Sequence, residues 1–224
     1  MHKLAIVGYG KMGRMIEALA PEYGFSVHAR IDVKDDIALA QGADVAIEFS
    51  IPEAAAGNVE KLAALGVPVV VGTTGWLAEM DRVRAAIEAH DSALVWSPNF
   101  SIGVNVFSRL VKEAAKLLAD EPQYGAWAWE IHHSAKKDAP SGTLIKLVND
   151  MKSAGYERAI DISSNRTGAH PGTHEIGFDS AADTITLRHA ARSREGFARG
   201  ALKAAQWIVG KKGVFEFSEV LFAK

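Results

Sequence analysis

The chain has 224 residues, enough for one large domain or for two smaller domains that each bury a core. Its net charge of −2 and its isoelectric point near 6.4 provide no general attraction to nucleic acid or to an anionic membrane. It contains no cysteine, which excludes disulfides, thiolate-bound zinc and a cysteine nucleophile. We therefore expect a cytoplasmic protein that acts on a small molecule, with no nucleic-acid or membrane partner.

The first half of the chain alternates short apolar runs with helical patterns. The apolar runs are continuous and rich in valine and isoleucine, as in "VPVVVG" at 67–72, which is typical of parallel strands covered on both faces. Helical patterns lie between them, including one from Met12 to Ala20 and one that ends at His90. The sequence therefore predicts an α/β domain with a doubly wound parallel sheet.

The pattern changes from about Ile102 onwards. A long helical pattern, "VNVFSRLVKEAAKLLAD", precedes the strand-like "GAWAWEIHH" and the alternating segments "HEIGFDS" and "TITLRHA". Alternation of period two is typical of a sheet with one solvated face, so residues 103–194 are predicted to form an α+β substrate-binding and oligomerisation domain. The final segment, "FARGALKAAQWIVGKKGVFEF", is predicted to be helical and to pack back on the first domain. That dinucleotide-binding domain would then comprise residues 1–102 and 195–224.

The segment "GYGKMG" follows the first predicted strand and precedes a helix. It places Gly8, Gly10 and Gly13 at G-x-G-x-x-G spacing, which permits a tight turn and close approach of a pyrophosphate to a helix N-terminus. Asp32 ends the next strand about 20 residues later, where it would accept hydrogen bonds from an adenosine ribose. The arrangement favours dinucleotide binding over a purely structural turn. The other candidate cofactor residues of this segment are Lys11, Met12 and Arg14.

The choice between NADH and NADPH stays open at this point. The carboxylate of Asp32 would repel the 2′-phosphate of NADPH, whereas Lys11, Arg14 and Lys34 could attract it. We expect NADH to be preferred and NADPH to be tolerated.

Two further loops follow predicted strands, at the edge where open α/β sheets bind their ligands. They are "GTTG" at 72–75 and "SPNFS" at 97–101, and their residue types are also those of ordinary turns. Together with "EFSIP" at 48–52 they occupy successive strand ends, so we expect their backbone groups to hold the nicotinamide carboxamide. The candidate cofactor residues here are Gly72, Thr73, Thr74, Ser97, Pro98, Asn99 and Phe100.

The segment "EIHHSAKKDAPSGT" at 130–143 combines histidines, lysines and a helix start. The neighbouring His132 and His133 point to opposite faces of an extended segment and are poorly placed to chelate one ion, so no metal site is expected. Pro140 fixes a turn, and Ser141–Thr143 open a helix. A helix N-terminus beside histidine and lysine suits a carboxylate. With the dinucleotide motif, this predicts a reductase of a small anionic substrate.

Seven segments resemble, in order and over nearly the full chain, the 4-hydroxy-tetrahydrodipicolinate reductase (dihydrodipicolinate reductase) family of lysine and diaminopimelate biosynthesis. They are "GYGKMG", "EFSIPEA", "GTTG", "NFSIGVN", "EIHHSAKKDAPSGT", "RTGAHPGTHEIGF" and "LRHAARSREGFARGALKAAQWI". The H-H-x-x-K-x-D-A-P-S-G-T motif is far more specific than the glycine motif. The resemblance implies a Rossmann-like domain joined to a substrate domain with a mixed sheet, and a homotetramer built through those sheets.

The resemblance also implies the roles of individual residues. It makes His132 and Lys136 the catalytic pair that handles protons while NADH or NADPH reduces a cyclic imine dicarboxylate. The residues implied to surround the substrate are His133, Lys136, Ser141, Gly142 and Thr143. The chain departs from the family at Glu48 and Ser50, where Asp and Thr are common, and at Val33, where Arg is common in relatives that use either cofactor.

Two alternatives to this reductase remain. Another Rossmann-type amino-acid or semialdehyde dehydrogenase would share the glycine motif, but it gives no reason for the 130–143 segment. A non-catalytic dinucleotide sensor would bind NADH without turnover.

Overall fold

The computed structural model describes residues 1–223, so Lys224, the last residue of the predicted first domain, lies outside the described residues. The chain forms two compact units. Unit 1 comprises residues 1–102 and the C-terminal segment that begins at Glu195, and unit 2 comprises Gly103–Arg194. Within residues 1–223, no helix is long and apolar enough to cross a membrane.

Unit 1 is built on a sheet of six parallel strands. Within the sheet, β2 pairs with one edge of β1 and β3 pairs with the other edge. The strand order therefore reverses between β1 and β3. Ligands of open α/β sheets bind at such a reversal. In sheet order the strands are β10 (Gly213–Glu216), β5 (Ala93–Trp96), β4 (Val69–Val71), β3 (Val45–Glu48), β1 (His2–Val7) and β2 (Phe25–Ile31).

Helices cover both faces of this sheet. One core cluster joins Ile16, Leu202 and Phe217 to β1 and β3, and a second joins Val59 and Ile87 to the opposite side of the strands. Continuous apolar runs form the inner strands β1, β3, β4 and β5 because both of their faces are buried. The predicted doubly wound α/β fold is confirmed. The helices of unit 1 are α1 (Lys11–Leu19), α2 (Pro52–Ala64), α3 (Met80–Ala89), α6 (Glu195–Ile208) and α7 (Phe217–Phe222).

Unit 2 is built on a mixed four-stranded sheet, which confirms the predicted α+β class. Strand β6 pairs parallel with β7 and antiparallel with β8, and β8 pairs antiparallel with β9. Ala128 and Ile176 of the sheet share a core cluster with Val111 of α4 and Leu147 of α5. In sheet order the strands are β7 (Ile160–Arg166), β6 (Gly125–His132), β8 (Thr173–Asp179) and β9 (Thr184–Ala190), and the helices are α4 (Ile102–Leu117) and α5 (Gly142–Ser153).

Two segments differ from the sequence-based prediction. Strand β7 was not predicted, because "IDISSNR" is polar, largely exposed and without a clear apolar alternation. The final segment was predicted to be helical throughout, and this is wrong, since α6 ends at Ile208 and β10 then pairs with β5. Gly210, at φ +75°, follows α6 in the left-handed conformation that commonly terminates a helix.

Candidate active site

The turn between β1 and α1 has the geometry of a dinucleotide cradle. A side chain at Gly8 would collide with the Phe49 carbonyl, and one at Gly13 would collide with the Gly8 carbonyl, so strand and helix approach closely only with glycine at both positions. Gly10 is the N-cap of α1 and carries no side-chain cap, and a Cβ there would meet nothing within 4 Å. Uncapped backbone N–H groups beside open space fit a pyrophosphate.

The other predicted residues of this turn differ in exposure. Lys11 and Arg14 are exposed on the first turn of α1, and the Arg14 guanidinium lies 5.5 Å from the centre of the Tyr9 ring. Met12 packs against the core of unit 1. Both cations are therefore available to an anionic ligand, whereas Met12 serves mainly to position the turn.

Two carboxylates line the loop that follows β2. The Asp32 carboxylate accepts a hydrogen bond from the Val33 N–H at 3.0 Å, and the Asp35 carboxylate accepts one from the Asp32 N–H at 2.8 Å. The neighbouring cation, Arg30, is ion-paired with Glu17. The loop thus holds two carboxylates close together after β2.

The loop after β4 is tied to the end of β3. The Gly72 N–H donates to the Glu48 carbonyl at 2.9 Å, and the Ser50 N–H donates to the Thr73 hydroxyl at 2.8 Å. The Thr73 carbonyl accepts a bond from the Trp76 indole at 2.9 Å, while Thr74 is exposed. These bonds fix two successive strand ends against each other.

The loop after β5 is held by its own side chains. The Ser97 hydroxyl donates to the Asn99 carbonyl at 2.8 Å and accepts the Asn99 N–H at 3.1 Å, and Pro98 is exposed. Phe100 is 2% exposed and packs edge-on against Phe49. Its side chain therefore belongs to the core of unit 1.

Glu48, the last residue of β3, is fully buried beneath these loops. Its carboxyl group accepts hydrogen bonds from the Ser50 N–H at 3.2 Å, from the Asn58 amide at 3.3 Å and from the Ser50 hydroxyl. Burial raises the pKa of Glu48, and hydrogen bonds from Ser50, Thr73 and Asn58 oppose the rise only in part. All of these partners are neutral, so this environment favours the uncharged acid.

In unit 2 the centre of the polar cluster is Glu130 on β6. Glu130 and His132 lie two residues apart on a strand and therefore share a face, and both are buried. Ser141 is the N-cap of α5, which confirms the predicted helix start, and its hydroxyl accepts the Leu144 N–H at 3.2 Å. The Ser141 N–H donates to Glu130 Oε1 at 2.9 Å and the Ser141 hydroxyl donates to Oε2.

Strand β7 supplies two further donors to the same carboxylate. The Ser164 hydroxyl donates to Glu130 Oε1 at 3.0 Å, and Arg166 donates to it at 2.7 Å. Arg166 also donates to the Asp138 carbonyl at 2.5 Å, which ties the loop after β6 to β7. Burial alone would raise the pKa of Glu130, but hydrogen bonds from Ser141 and Arg166 lower it to about 2. Glu130 is therefore a buried carboxylate that stays ionised.

Two buried histidines flank this carboxylate. His132 Nδ1 lies 3.6 Å from Glu130 Oε2, and His174 Nε2 lies 3.4 Å from the same oxygen and 3.2 Å from the Ser141 hydroxyl. The ring centres of the two histidines are 5.0 Å apart. Burial lowers the pKa of His132, and burial together with the nearby His132 lowers the pKa of His174 to about 4. Both rings are therefore neutral at pH 7.

Glu130, His132 and His174 offer ligand atoms within 4.8 Å of one another, as a metal site would. Glu130 already accepts four hydrogen bonds, however, and the Arg166 guanidinium contacts it directly. A divalent cation there would be repelled by the guanidinium and would have to displace these donors. The cluster suits proton transfer better than metal binding, and the absence of a metal stays a prediction.

Lys136 lies in the loop between β6 and α5. Its ammonium donates to both carboxylate oxygens of Asp138, at 2.8 and 3.0 Å, and this bond lowers the pKa of Asp138. The Lys136 N–H donates to the His133 carbonyl at 3.1 Å, which makes the loop a tight turn. A Cβ on the exposed Gly142 would meet nothing within 4 Å, and the first turn of α5 carries no acidic residue. With Thr143 in the same turn, this helix start is suited to a carboxylate.

Gly172 brings β8 close to the His132 ring. It adopts φ +129°, which favours glycine, and a Cβ there would lie 3.0 Å from both Cδ2 and Nε2 of His132. The Nε2 edge of the ring therefore faces a backbone without a side chain.

Sequence reasoning assigned no role to Glu130, Arg166, Gly172 or His174. A charged residue two positions before His132 in an apolar strand was a usable signal for Glu130. The positions of Arg166 and His174 depend on sheet register. His174 on β8 lies opposite Glu130 on β6, and Arg166 on β7 lies beside His132 on β6.

Two family models match the chain almost from end to end. The model described as "Dihydrodipicolinate reductase, N-terminus" matches residues 2–100, and "Dihydrodipicolinate reductase, C-terminus" matches residues 103–221. The chain belongs to the dihydrodipicolinate reductase family. Each unit thus carries one candidate site, the glycine cradle in unit 1 and the Glu130 cluster in unit 2.

Similar proteins agree with this membership. The 4-hydroxy-tetrahydrodipicolinate reductase of Christiangramia forsetii is 37% identical, over 97% of each chain. That of Archaeoglobus fulgidus is 36% identical, over 95% of this chain and 96% of its own. A solved dipicolinate-bound dihydrodipicolinate reductase from Paenisporosarcina sp. TG-14 shares the fold with a TM-score of 0.80 at 20% identity, over 96% of this chain and 97% of that one.

Proposed function

We propose that this chain reduces 4-hydroxy-tetrahydrodipicolinate to tetrahydrodipicolinate with NADH or NADPH, a step of lysine and diaminopimelate biosynthesis. The observation that carries the proposal is that the N-terminal and C-terminal family models both match this one chain, which is also similar to a named reductase over 97% of its length. The chemistry is loss of the 4-hydroxyl group as water, hydride addition at C4 of the unsaturated imine and proton delivery to the neighbouring carbon.

Unit 1 would hold the cofactor, which supplies the hydride when bound. The uncapped start of α1 at Gly10 is the proposed pyrophosphate site, and Asp32 the proposed ribose contact. The loops 72–74 and 97–100 would contact the nicotinamide through backbone groups. NADH is the proposed preferred cofactor because Asp32 and Asp35 share the loop in which a 2′-phosphate would lie.

Unit 2 would bind the substrate dicarboxylate and move the proton. The backbone N–H groups of Gly142 and Thr143 at the start of α5 would hold one substrate carboxylate, and His133 and Lys136 would contact the remaining negative charge of the substrate. Lys136 is the proposed proton donor, and its contact with Asp138 holds the ammonium group in the loop before α5. His132, neutral at pH 7, would accept or relay a proton through Nε2.

We propose that the chain assembles as a homotetramer through the sheet of unit 2. Along β6, Trp127, Trp129 and Ile131 alternate with the residues that pack against α4 and α5, so they lie on the opposite face of the sheet and stay partly exposed. An aromatic sheet face of this kind is suited to pairing with a second copy. We further propose a cytoplasmic location, because NADH and NADPH are intracellular cofactors.

The test is a coupled assay in which the substrate is generated freshly beside the purified chain and oxidation of NADH is followed. We expect substrate-dependent oxidation in the unmodified protein. Lys136→Ala should lower kcat at least about a hundredfold and leave NADH affinity unchanged, because a lost general acid costs that much. Lys137→Ala, which removes the adjacent exposed lysine, is the matched control and should retain activity.

Other outcomes would identify the alternatives. Oxidation or reduction of an amino acid or semialdehyde instead would indicate a different dehydrogenase, and tight NADH binding without turnover would indicate a sensor. Normal kcat in Lys136→Ala would remove Lys136 from the mechanism.

A further inference from the structure

Glu130 is the most completely bonded side chain of the cluster, yet the reaction itself gives it no task. It is fully buried, accepts four hydrogen bonds and is ion-paired with Arg166. Burying a carboxylate is costly unless every oxygen has partners, so a fully partnered buried carboxylate directs attention to the neighbours that it holds in place.

The first such neighbour is the start of α5. Glu130 accepts both the N–H and the hydroxyl of Ser141, and the Ser141 oxygen in turn accepts the Leu144 N–H. The position of the first helical turn is therefore set by the carboxylate. Since the backbone N–H groups of Gly142 and Thr143 belong to that turn, Glu130 determines where a bound carboxylate would lie.

The second neighbour is His132. Its Nδ1 is buried and has no hydrogen-bond partner among residues 1–223, and Glu130 Oε2 lies 3.6 Å from it. A carboxylate beside one ring nitrogen favours a proton on that nitrogen and leaves the other as an acceptor. Here the proton would occupy Nδ1, and the acceptor would be Nε2, on the edge beside Gly172.

Of the charged groups around His132, Glu130 has the largest electrostatic effect on its pKa. Lys136 and Arg166 oppose protonation of His132, whereas Glu130 and the more distant Asp138 favour it. The titratable and charged groups that face the ring are Glu130 on β6, Lys136 and Asp138 in the following loop, Arg166 on β7 and His174 on β8.

We propose that Glu130 is a positioning residue that couples the two halves of the substrate site: it fixes the proton of His132 on Nδ1, and it fixes the carboxylate-binding start of α5 through Ser141. This inference rests on the proposed function in that His132 and the α5 start are taken as substrate-binding groups. Its structural content, the tautomer of His132 and the anchoring of Ser141, does not depend on the identity of the substrate.

The first test is nuclear magnetic resonance of the full chain labelled in its histidines, with His132 assigned by the signal lost in His132→Asn. In the unmodified protein we expect neutral His132 to carry its proton on Nδ1. In Glu130→Gln we expect the midpoint of His132 titration to fall by about one further pH unit, because the nearby negative charge is lost. Glu113→Gln, the same change at an exposed position of α4, should leave both properties unaltered.

The second test separates the two contacts of Glu130 by kinetics and binding. Glu130→Gln should lower kcat/KM by about 10- to 100-fold, the usual effect of losing a group that orients a catalytic one. Ser141→Ala should raise KM and weaken pyridine-2,6-dicarboxylate binding to the NADH-bound protein, without changing the His132 tautomer. NADH affinity should be unchanged in both variants.

Three results would overturn the inference. They are a proton on Nε2 of neutral His132 in the unmodified protein, an unaltered His132 titration in Glu130→Gln, and unaltered dicarboxylate binding in Ser141→Ala. The first needs no variant, so the inference can be tested even if Glu130→Gln does not fold. If the unmodified protein shows the expected tautomer but does not turn over the proposed substrate, the proposed function fails and the role of Glu130 stands.

Discussion

Each unit buries one glutamate at or near the end of a strand, and the two are held in opposite ways. Glu48 in unit 1 has only neutral hydrogen-bond partners, and burial raises its pKa. Glu130 in unit 2 is held by Arg166 and three further donors, which lower its pKa to about 2. Both side chains are fully buried, and only Glu130 has a cationic partner, which favours its ionised form.

The difference fits the ligand proposed for each unit. A buried acid with a raised pKa and only neutral partners ties the loops after β3 and β4 together, and in its uncharged form it does not repel the phosphates of a dinucleotide. An ionised acid beneath the start of α5 can be accepted near a dicarboxylate because Arg166 balances its charge, and it can also orient His132. The same side chain thus acts as a hydrogen-bonding bridge in one unit and as a fixed charge in the other.

The largest expected difference is between the two glutamine variants. Glu130→Gln should lower the free energy of unfolding by about 4 kcal/mol, because Arg166 loses its buried carboxylate partner. In addition, the Ser141 N–H would meet either the amide NH₂ group, which is a donor, or the amide oxygen, which is a weaker acceptor than a carboxylate. Glu48→Gln should change it by less than about 1 kcal/mol, since its partners are neutral. Urea unfolding of both variants is the measurement, and equal losses would mean that Glu48 is also charged.

The pH dependence of the free energy of unfolding should also distinguish Glu130 from Glu48. Glu130 has a folded pKa of about 2 against an ordinary value of 4.5, so its contribution is present above about pH 4.5 and is lost as the pH falls through about 2. This amounts to roughly 3 kcal/mol and should be missing in Glu130→Gln. The contribution of Glu48 has the opposite sign, because its folded pKa is raised. It is present at low pH and is lost as the pH rises through that folded pKa, an effect that Glu48→Gln should abolish.

Cofactor binding tests the role of the charged residues in the loop after β2 of unit 1. Asp32→Ala should weaken NADH about tenfold and NADPH distinctly less, because the charge that disfavours a 2′-phosphate is removed together with the ribose contact. Lys34→Ala should do the reverse and weaken NADPH alone. Titration of each variant with both cofactors measures this, and equal losses of the two in Asp32→Ala would show that the carboxylate does not face the ribose.

The smallest expected effect concerns Gly172. Gly172→Ala forces a side chain into φ +129° and into contact with the His132 ring, so the free energy of unfolding should fall by about 1 to 2 kcal/mol. Gly57→Ala is the matched control, since Gly57 lies inside α2 with nothing within 4 Å of a new Cβ. That change should stabilise the protein by up to about 1 kcal/mol. Thermal unfolding of both variants is the measurement. An unchanged stability in Gly172→Ala would show that the space beside the His132 ring accommodates a methyl group.

Much of unit 1 could be predicted because its signals are local. Buried parallel strands are continuous apolar runs, and β1 to β5 were all predicted from such runs and from the helices between them. Strand β10 was missed, since Gly213–Glu216 follows two lysines and a glycine and was taken to continue α6. Only its pairing with β5 makes it a strand.

The sequence by itself determined the doubly wound α/β class of unit 1, the helix start at Ser141, the G-x-G-x-x-G turn and the resemblance of residues 130–143 to a reductase motif. Each of these depends on residues close together in the chain, where strand and helix periodicity and capping operate. The tertiary structure decided which charges meet. His174 reaches Glu130 through the antiparallel register of β6 and β8, and Arg166 reaches it through the parallel register of β6 and β7. A register shift of one residue would turn these side chains to the other face, so the charge state of Glu130 follows from strand pairing rather than from the motif.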